Sequence, residues 1–170
     1  GQSGRQHVMD AEYFDRIDAM TYTLNHDDGQ ATHDLKSADI VLVGVSRTSK
    51  TPTCIYLANR GMRAANVPVV PDVTLPSELI ELGGTDGPLI VGLTKDPHRL
   101  VQVRRNRLRL LSHDADTDYV DPETVRVEVA MARRVFADHD WPVIDVTRRY
   151  IEETAATILQ LYERRSGNNE

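Results

Sequence analysis

The residues from Gly44 to Thr51 have the composition and spacing of a loop that holds phosphate. They read Gly-Val-Ser-Arg-Thr-Ser-Lys-Thr, follow the apolar run 40–43 and precede a helix-like stretch at 53–58. A strand, a tight loop and a helix point successive backbone N–H groups at an anion, and the lysine neutralises its charge. The common pattern has a glycine before the lysine, where this chain has Ser49, and a serine has less freedom to adopt a positive φ angle.

This pattern predicts a task for each part of the loop. We expect the loop amides to hold phosphate groups, Lys50 to bridge the transferred group and Thr51 to ligate Mg²⁺. Arg47 is placed to stabilise charge in the transition state, with an ordinary surface arginine as the alternative. For the whole loop the alternative is a plain strand–turn–helix junction with a solvated lysine. The predicted binding residues are Gly44, Val45, Ser46, Arg47, Thr48, Ser49, Lys50 and Thr51.

A second cluster, His26-Asp27-Asp28-Gly29, places two carboxylates and an imidazole at the end of a predicted helix. Asp27 and Asp28 are suited to orient an acceptor hydroxyl as a base or to hold Mg²⁺. The alternative is a solvated C-terminal turn in which Gly29 supplies left-handed backbone geometry.

Three further residues are candidates because of their positions in predicted elements. On a helical projection of residues 100–111, Arg104 and Arg107 fall on the packed face, one turn apart. Guanidinium groups there need anions, either a bound phosphate or buried Asp and Glu partners. Asp145 lies near the C-terminal end of a predicted buried strand, an edge that faces the ligand crevice in open α/β sheets. It is a candidate base or Mg²⁺ ligand, and helix capping by Asp145 or Thr147 is the alternative.

The elements that must position these residues alternate between strands and helices. This order predicts an α/β domain, with a mostly parallel sheet flanked by helices, as in a phosphate-loop (P-loop) kinase core. We expect one domain over residues 1–165 and a disordered tail at 166–170. The predicted strands are 38–45, 65–70, 89–94 and 141–147, and the predicted helices are 9–25, 51–60, 76–82, 96–111, 122–138 and 151–162.

Composition excludes several classes of protein. The chain has 170 residues, 40% of them hydrophobic, and a formal net charge of −6, which argues against a general nucleic-acid binder. A single cysteine, Cys54, allows no intrachain disulfide and favours the reducing cytoplasm. No apolar run is long enough to cross a bilayer, so we expect no membrane partner. The chain begins with Gly1 rather than Met, which suggests a fragment.

Several segments, in order along the chain, resemble the bacterial and plant regulatory proteins of pyruvate, phosphate dikinase. The related regulators of phosphoenolpyruvate synthase share this architecture but tend to read Cys-Gly-Lys where this chain has Thr48-Ser49-Lys50. The family pattern also covers His7, Asp27, Asp28, Arg104 and Arg107. The matching segments are Gly4–His7, His26–Gly29, Gly44–Thr53, Ile55–Gly61, Ala65–Pro71, Gly92–Leu100, Val143–Arg149 and Ile151–Ala155.

The resemblance implies a bifunctional enzyme. One activity uses ADP, with Mg²⁺, to phosphorylate an active-site threonine of the dikinase and inactivate it. The other uses inorganic phosphate to remove that group as pyrophosphate and restore activity. Family members usually carry a further N-terminal domain, which we expect this chain to lack. The same activity on phosphoenolpyruvate synthase, a small-molecule kinase and a non-catalytic nucleotide or phosphate sensor are the alternatives, and a homodimer is left open.

Overall fold

One parallel sheet has the strand order β2-β1-β3-β4, and the Gly44–Thr51 loop leaves it at the carboxyl end of β1. The computed structural model describes the backbone of residues 2–29, 32–82, 87–111 and 118–167, and side chains only for those from 11 to 165. The side chains of the segment Gly4–His7 therefore lie outside the described residues. The strands are β1 Ile40–Gly44, β2 Ala64–Pro68, β3 Leu89–Thr94 and β4 Val143–Asp145. All three strand pairs are parallel.

Helices connect these strands and cover both faces of the sheet. None of the described helices combines the length and the apolar character that a membrane crossing requires. Short 3₁₀ turns occupy Asp27–Gly29 and Leu35–Ser37. The helices are α1 Gln2–Asn25, α2 Lys50–Asn59, α3 Ser77–Ile80, α4 Pro97–Leu110, α5 Pro122–Asp138 and α6 Ile151–Gly167.

The central strand β1 shows why an uninterrupted apolar run was needed. Successive side chains of a strand point to opposite faces of its sheet. Val41 and Val43 pack in one buried cluster with residues of α4 and α5, such as Leu100 and Phe136. Ile40 and Leu42 belong to a second cluster with residues of α2 and α6. Two buried faces are typical of a parallel sheet, and the predicted α/β architecture is confirmed.

Helix boundaries follow local capping chemistry. The carboxylate of Asp96 accepts a hydrogen bond from the backbone N–H of Arg99 at 3.1 Å, with Pro97 in the first turn, so the predicted N-cap of α4 is confirmed. Asp121 and Pro122 start α5 in the same way. At the other end of the chain, α6 continues to Gly167, two residues into the segment 166–170, and residues 168–170 lie outside the described ranges.

Strand β4 differs from its prediction as a buried strand. It is only three residues long and lies at the edge of the sheet, where it pairs with β3 alone. Ile144 is buried, but Val143 and Asp145 on either side are exposed. An edge strand has one neighbour instead of two, so a short strand such as β4 buries little of its surface.

Gly92 in β3 tests the packing of α5 on the sheet. A Cβ atom at this position would lie 2.5 Å from Cδ2 of Phe136, whose ring is fully buried. We expect Gly92→Ala to lower the free energy of unfolding by about 1–3 kcal/mol, because a packed ring must move. Urea denaturation measures this change. Phe136→Leu in the Gly92→Ala background should recover part of the loss, whereas a fully stable Gly92→Ala protein would contradict the close approach.

Candidate phosphate-binding site

The loop between β1 and α2 adopts a strained, tightly curved backbone. Arg47 has φ 70° and Ser49 has φ 66°, so two non-glycine residues occupy left-handed conformations that are uncommon for L-residues. Ser49 thus takes the positive φ that a glycine usually supplies. Position 49 therefore has a serine where the common phosphate-loop pattern has a glycine, but its backbone keeps the positive φ angle of that pattern. Such strain clusters at sites that clamp ligands.

Close contacts hold the base of this loop in place. A Cβ atom on Gly44 would lie 2.7 Å from the carbonyl oxygen of Leu93 and 2.8 Å from Oγ1 of Thr48, so only glycine fits. Thr48 Oγ1 donates to the carbonyl of Val45 at 2.8 Å and closes the turn. Within the described ranges, no backbone N–H of residues 46–49 donates to another backbone group. These amides and the N-terminus of α2 are therefore available to an anion.

The ammonium group of Lys50 is buried beneath the loop. The residue is only 6% exposed, and Nζ donates to the carbonyl of Val45 at 2.8 Å. Burial lowers the pKa of Lys50 to about 8, although the nearby carboxylate of Asp28 opposes this effect. The alternative of a solvated lysine is therefore wrong. A buried, weakly compensated cation gains a counter-charge when phosphate binds.

The carboxylate of Asp27 faces the first turn of α2. Its Oδ1 accepts hydrogen bonds from Thr51 Oγ1 and from Asn66 Nδ2, each at 2.7 Å. Asn66 Oδ1 in turn accepts from the backbone N–H of Asp28 at 3.0 Å, and Asp28 has a left-handed φ of 54°. Asn66 was not predicted from the sequence, although a buried asparagine in the apolar strand β2 was an available signal. These bonds hold the Asp27-Asp28 turn opposite the loop.

Asp27 and Thr51 have the donor chemistry that Mg²⁺ requires. The ion prefers oxygen ligands and is commonly held by one or two carboxylates together with substrate phosphates. Across the described part of the chain, no group of three or more His, Cys, Asp or Glu side chains could hold a metal ion. Thr51 and Asp27 are the residues of the pocket whose oxygen atoms could hold Mg²⁺.

Both sequence motifs line a single open pocket of about 390 Å³. One lining residue that the sequence did not single out is Lys95, which directly follows β3 and is 8% exposed. Burial, and to a lesser extent the charge of Arg99, lowers the pKa of Lys95. The sequence signal that could have identified Lys95 is its position directly after a buried strand. The pocket is lined by Asp27, Asp28, Ser46, Arg47, Ser49, Lys50, Thr51, Pro52, Lys95 and Val103.

His26 supports the pocket without lining it. Its Nδ1 donates to the carbonyl of Tyr22 at 2.7 Å, and its Nε2 contacts the carboxylate of Asp34. The ring of Tyr22 stacks on the imidazole with the centroids 3.8 Å apart. The hydrogen bond from His26 lowers the pKa of Asp34. His26 therefore fixes the end of α1, from which the Asp27-Asp28 turn departs.

Arg104 and Arg107 have different environments, which the helical projection did not predict. Arg104 is 1% exposed and makes two hydrogen bonds to the carboxylate of Glu128, at 2.9 and 2.7 Å. It also donates to the carbonyl of Ser46 at 3.2 Å, so it ties the loop to α5. Arg107 is exposed, because α4 buries residues only between Leu100 and Arg104. The predicted packed position of Arg107 is therefore wrong, and Arg104 has the buried carboxylate partner of the alternative interpretation.

Asp145 lies outside the pocket, in a neighbouring cavity of about 880 Å³. Burial raises the pKa of Asp145, but hydrogen bonds from the backbone N–H and Oγ1 of Thr147 outweigh this and lower it. Thr147 Oγ1 also accepts from the backbone N–H of Asp96 at 2.8 Å. Asp145 thus closes the turn that leads to α6, and its predicted role as a base or metal ligand stays a prediction.

Lys50 should destabilise the ligand-free protein at neutral pH. Between its folded pKa of about 8 and its usual 10.5, the unfolded chain binds more protons, so the stability of the wild type rises with pH in that window. We expect Lys50→Met to be more stable than wild type by about 1–3 kcal/mol at pH 7, and the advantage to shrink between pH 8 and 10. Denaturation at several pH values measures this. An advantage that does not change with pH would contradict the buried charge.

Arg104 should matter for folding as well as for the loop. Arg104→Ala leaves Glu128 buried without its partner, so we expect a loss of about 3–5 kcal/mol in the free energy of unfolding. Arg107→Ala, one turn further along α4, is the matched control and should cost less than about 0.5 kcal/mol. Urea denaturation compares the two variants. Equal losses of unfolding free energy in the two variants would contradict a buried Arg104 and an exposed Arg107.

Comparisons with known proteins identify the family of this chain. A family model described as kinase/pyrophosphorylase matches residues 1–159. A relative from Paramagnetospirillum magneticum is 61% identical over 161 residues, which cover 95% of this chain and 51% of the relative. Relatives from Caulobacter vibrioides and Bradyrhizobium diazoefficiens are 58% and 57% identical, over 93% and 99% of this chain and 49% and 60% of their own lengths. All three carry the provisional name pyruvate, phosphate dikinase regulatory protein, and the chain spans about half the length of the first two. The chain belongs to the kinase/pyrophosphorylase family.

Proposed function

We propose that this chain is the catalytic core of a regulatory phosphotransferase that acts on pyruvate, phosphate dikinase. It transfers the β-phosphoryl group of ADP to a threonine of the dikinase, with AMP as the leaving group when the bond from the β-phosphorus to the bridging oxygen breaks, and it removes that phosphoryl group by phosphorolysis. The observation that carries the proposal is the pocket in which free loop amides and the buried ammonium of Lys50 face Asp27, Asp28 and Thr51. The names of the relatives supply the identity of the protein substrate.

The contacts assign different tasks to the two aspartates. Oδ1 of Asp27 already accepts two hydrogen bonds, which fix its carboxylate beside Thr51. The carboxylate of Asp28 also lines the pocket, and its side chain makes no hydrogen bond or ion pair with another described residue. Asp28 is therefore the group that takes the proton of the acceptor hydroxyl, and Asp27 supports the metal-binding side of the pocket.

Phosphoryl transfer from ADP needs charge stabilisation more than covalent chemistry. The loop amides and Lys50 hold the β-phosphate where other phosphate-loop enzymes hold a γ-phosphate. Exposed Arg47, which has no partner among the described residues, is free to approach the transferred group. Bound Mg²⁺ would screen the negative charge of the phosphates.

Phosphorolysis of the phosphothreonine uses the same protein groups, with inorganic phosphate as the nucleophile. Once the nucleotide has left, the loop can hold inorganic phosphate. An oxygen of that phosphate forms a bond to the phosphorus of the phosphothreonine, and the bond from this phosphorus to the threonine oxygen breaks. Starting from dihydrogen phosphate, the products are pyrophosphate and a threonine hydroxyl that carries the second proton.

Labelled nucleotides test the donor and the acceptor together. Incubation of the chain and the dikinase with ADP labelled at its β-phosphate should label a dikinase threonine, whereas label at the α-phosphate or at the γ-phosphate of ATP should not transfer. Asp28→Asn should slow the transfer by about 100-fold or more, because the acceptor loses its base. Acid-stable label on threonine is the measurement.

Two lysine variants control this experiment. Lys50→Ala should abolish the transfer, and Lys36→Ala, which changes an exposed lysine that does not line the pocket, should not. Transfer from ATP to a free metabolite would identify a small-molecule kinase instead. Binding of ADP with no transfer at any concentration would identify a sensor, and transfer to phosphoenolpyruvate synthase alone would identify the other branch of regulators.

A further inference from the structure

The two walls of the phosphate pocket lie on opposite sides of strand β1. On one side, the backbone N–H of Asp28 donates to Asn66 of β2. A Cβ atom on Gly29 would lie 3.2 Å from Cδ of Pro68, at the end of the same strand. On the other side, Lys95 directly follows β3. The proposed base therefore lies on the β2 side of the loop, and the β3 side is left for the rest of the phosphate donor.

The chemistry of the proposed transfer assigns the leaving group to the β3 side. The threonine oxygen forms a bond to the β-phosphorus of ADP, and the bond from this phosphorus to the bridging oxygen breaks. AMP leaves with that oxygen and its electron pair, while Asp28 takes the proton of the hydroxyl. The attacking and leaving oxygens lie roughly in line through the phosphorus. A hydroxyl held at Asp28 therefore directs AMP away from β2, toward β3 and β4.

A cavity of about 880 Å³ lies on that side of the sheet. Its lining includes Asp145, the last residue of β4, and Asp96, which follows Lys95 after the end of β3. We call it the arginine cavity, because three guanidinium groups line it together with His98 and the two carboxylates. The arginines are Arg99, Arg148 and Arg149.

The linings of the pocket and of the arginine cavity adjoin at two places. Lys95 of the pocket and Asp96 of the cavity are consecutive, so their Cα atoms lie about 3.8 Å apart. On α4, Val103 lines the pocket, whereas Gln102 beside it and Arg99 one turn before it line the cavity. Burial, together with the charge of Arg99, lowers the pKa of Lys95, so charges in the two linings act on each other. Pocket and cavity are therefore two parts of one crevice at the carboxyl ends of the strands.

One ADP molecule is long enough to occupy both parts of this crevice. Gly92 of β3 pairs with Val43 of β1 on one side and with Val143 of β4 on the other, so the three strands end at nearly the same level. Neighbouring strands lie about 4.8 Å apart, and the end of β4 is therefore about 10 Å from the end of β1. A nucleoside diphosphate covers this distance from its β-phosphate to its base.

The guanidinium groups of the cavity are available to a ligand. Arg148 makes no hydrogen bond or ion pair with a described residue. Arg99 donates to the side-chain oxygen of Gln102 at 3.3 Å. Arg149 donates to Oγ1 of Thr157 at 2.9 Å, so both of these partners are neutral. Guanidinium groups pair with phosphate oxygens and stack on aromatic rings, so they suit both a phosphate and a nucleobase.

We propose that the arginine cavity binds the AMP part of the donor ADP. Lys95 and Arg99, where the two linings adjoin, lie beside the α-phosphate, and Arg148 and Arg149 hold the part of AMP that extends toward β4. This inference rests on the proposed function, because it places the leaving group of that reaction. Phosphorolysis involves no nucleoside, so the cavity serves only one of the two proposed activities.

Direct binding separates the two parts of the crevice without requiring turnover. AMP has no β-phosphate, so calorimetric titration with AMP should report the cavity, and titration with inorganic phosphate should report the loop. We expect Arg148→Ala to weaken AMP binding about tenfold or more and phosphate binding less than about twofold, because one charged contact to AMP is lost. Lys50→Ala should show the opposite pattern. Arg105→Ala changes an exposed arginine on α4 that lines neither part, and it is the matched control.

Several outcomes of these titrations would overturn the proposal. They are a wild type that binds no AMP, AMP binding that is unchanged in Arg148→Ala, and AMP binding that is lost in Lys50→Ala. Arg148→Lys should have an intermediate effect, because it keeps the charge and loses the paired geometry. Arg99→Ala is a second variant that leaves the cap of α4 in place, since Asp96 accepts from the backbone N–H of residue 99. Circular dichroism verifies that each variant is folded.

Kinetics distinguish this inference from the proposed function. Arg148→Ala should raise the KM for ADP about tenfold or more in transfer to the dikinase. It should raise the KM for inorganic phosphate in phosphorolysis much less, because no nucleoside takes part in that reaction. Equal increases in the two KM values would overturn the proposal. If the wild type supports neither activity, the proposed function fails, whereas the titrations still decide whether the cavity binds a nucleoside monophosphate.

Discussion

The burial of one ammonium group beneath a curved loop is the constraint on which the rest of the site depends. At neutral pH Lys50 remains protonated there, although among the described residues only the carbonyl of Val45 accepts a hydrogen bond from it. The same loop leaves its amides unpaired and holds Arg47 and Ser49 in unfavourable backbone conformations. All three features favour the state in which an anion is bound. In the proposed function these features prepare the site for phosphate, at a cost in folding stability.

That cost is met by the layers around the sheet. Both faces of β1 are buried, and Arg104 joins the carbonyl of Ser46 to Glu128 of α5. A loop with few internal bonds is therefore held from outside. Asn66 holds the Asp27-Asp28 turn, on the opposite wall of the pocket, in the same way, because its side chain bonds to the carboxylate of Asp27 and to the backbone N–H of Asp28. Each wall is fixed by a buried polar residue on a neighbouring element.

The sequence was sufficient for the parallel sheet, the capped helices and the strand–loop–helix arrangement around residues 44–51, because apolar runs, Asp-Pro starts and the Gly44–Thr51 spacing are local signals. It was insufficient where burial depends on neighbours. The projection that put Arg107 on a packed face assumes a partner along the whole of α4, but burial ends at Arg104. The edge position of β4 depends on the strand order. Lys95, directly after β3, and Asn66, within β2, were missed because their positions in buried strands signal burial, whereas their partners are set only by the elements that surround them in the fold.

Asn66 also has a consequence for how the sheet assembles. Side chains alternate between the two faces of a strand, so a shift of β2 by one residue along β1 would turn this amide to the opposite face. It would then lie in an apolar layer without Asp27 or the backbone of Asp28 to bond, and a buried amide without partners is costly. Misaligned pairings of β2 are disfavoured for this reason. The residue that orients a wall of the pocket therefore also selects the correct alignment of the strand during folding.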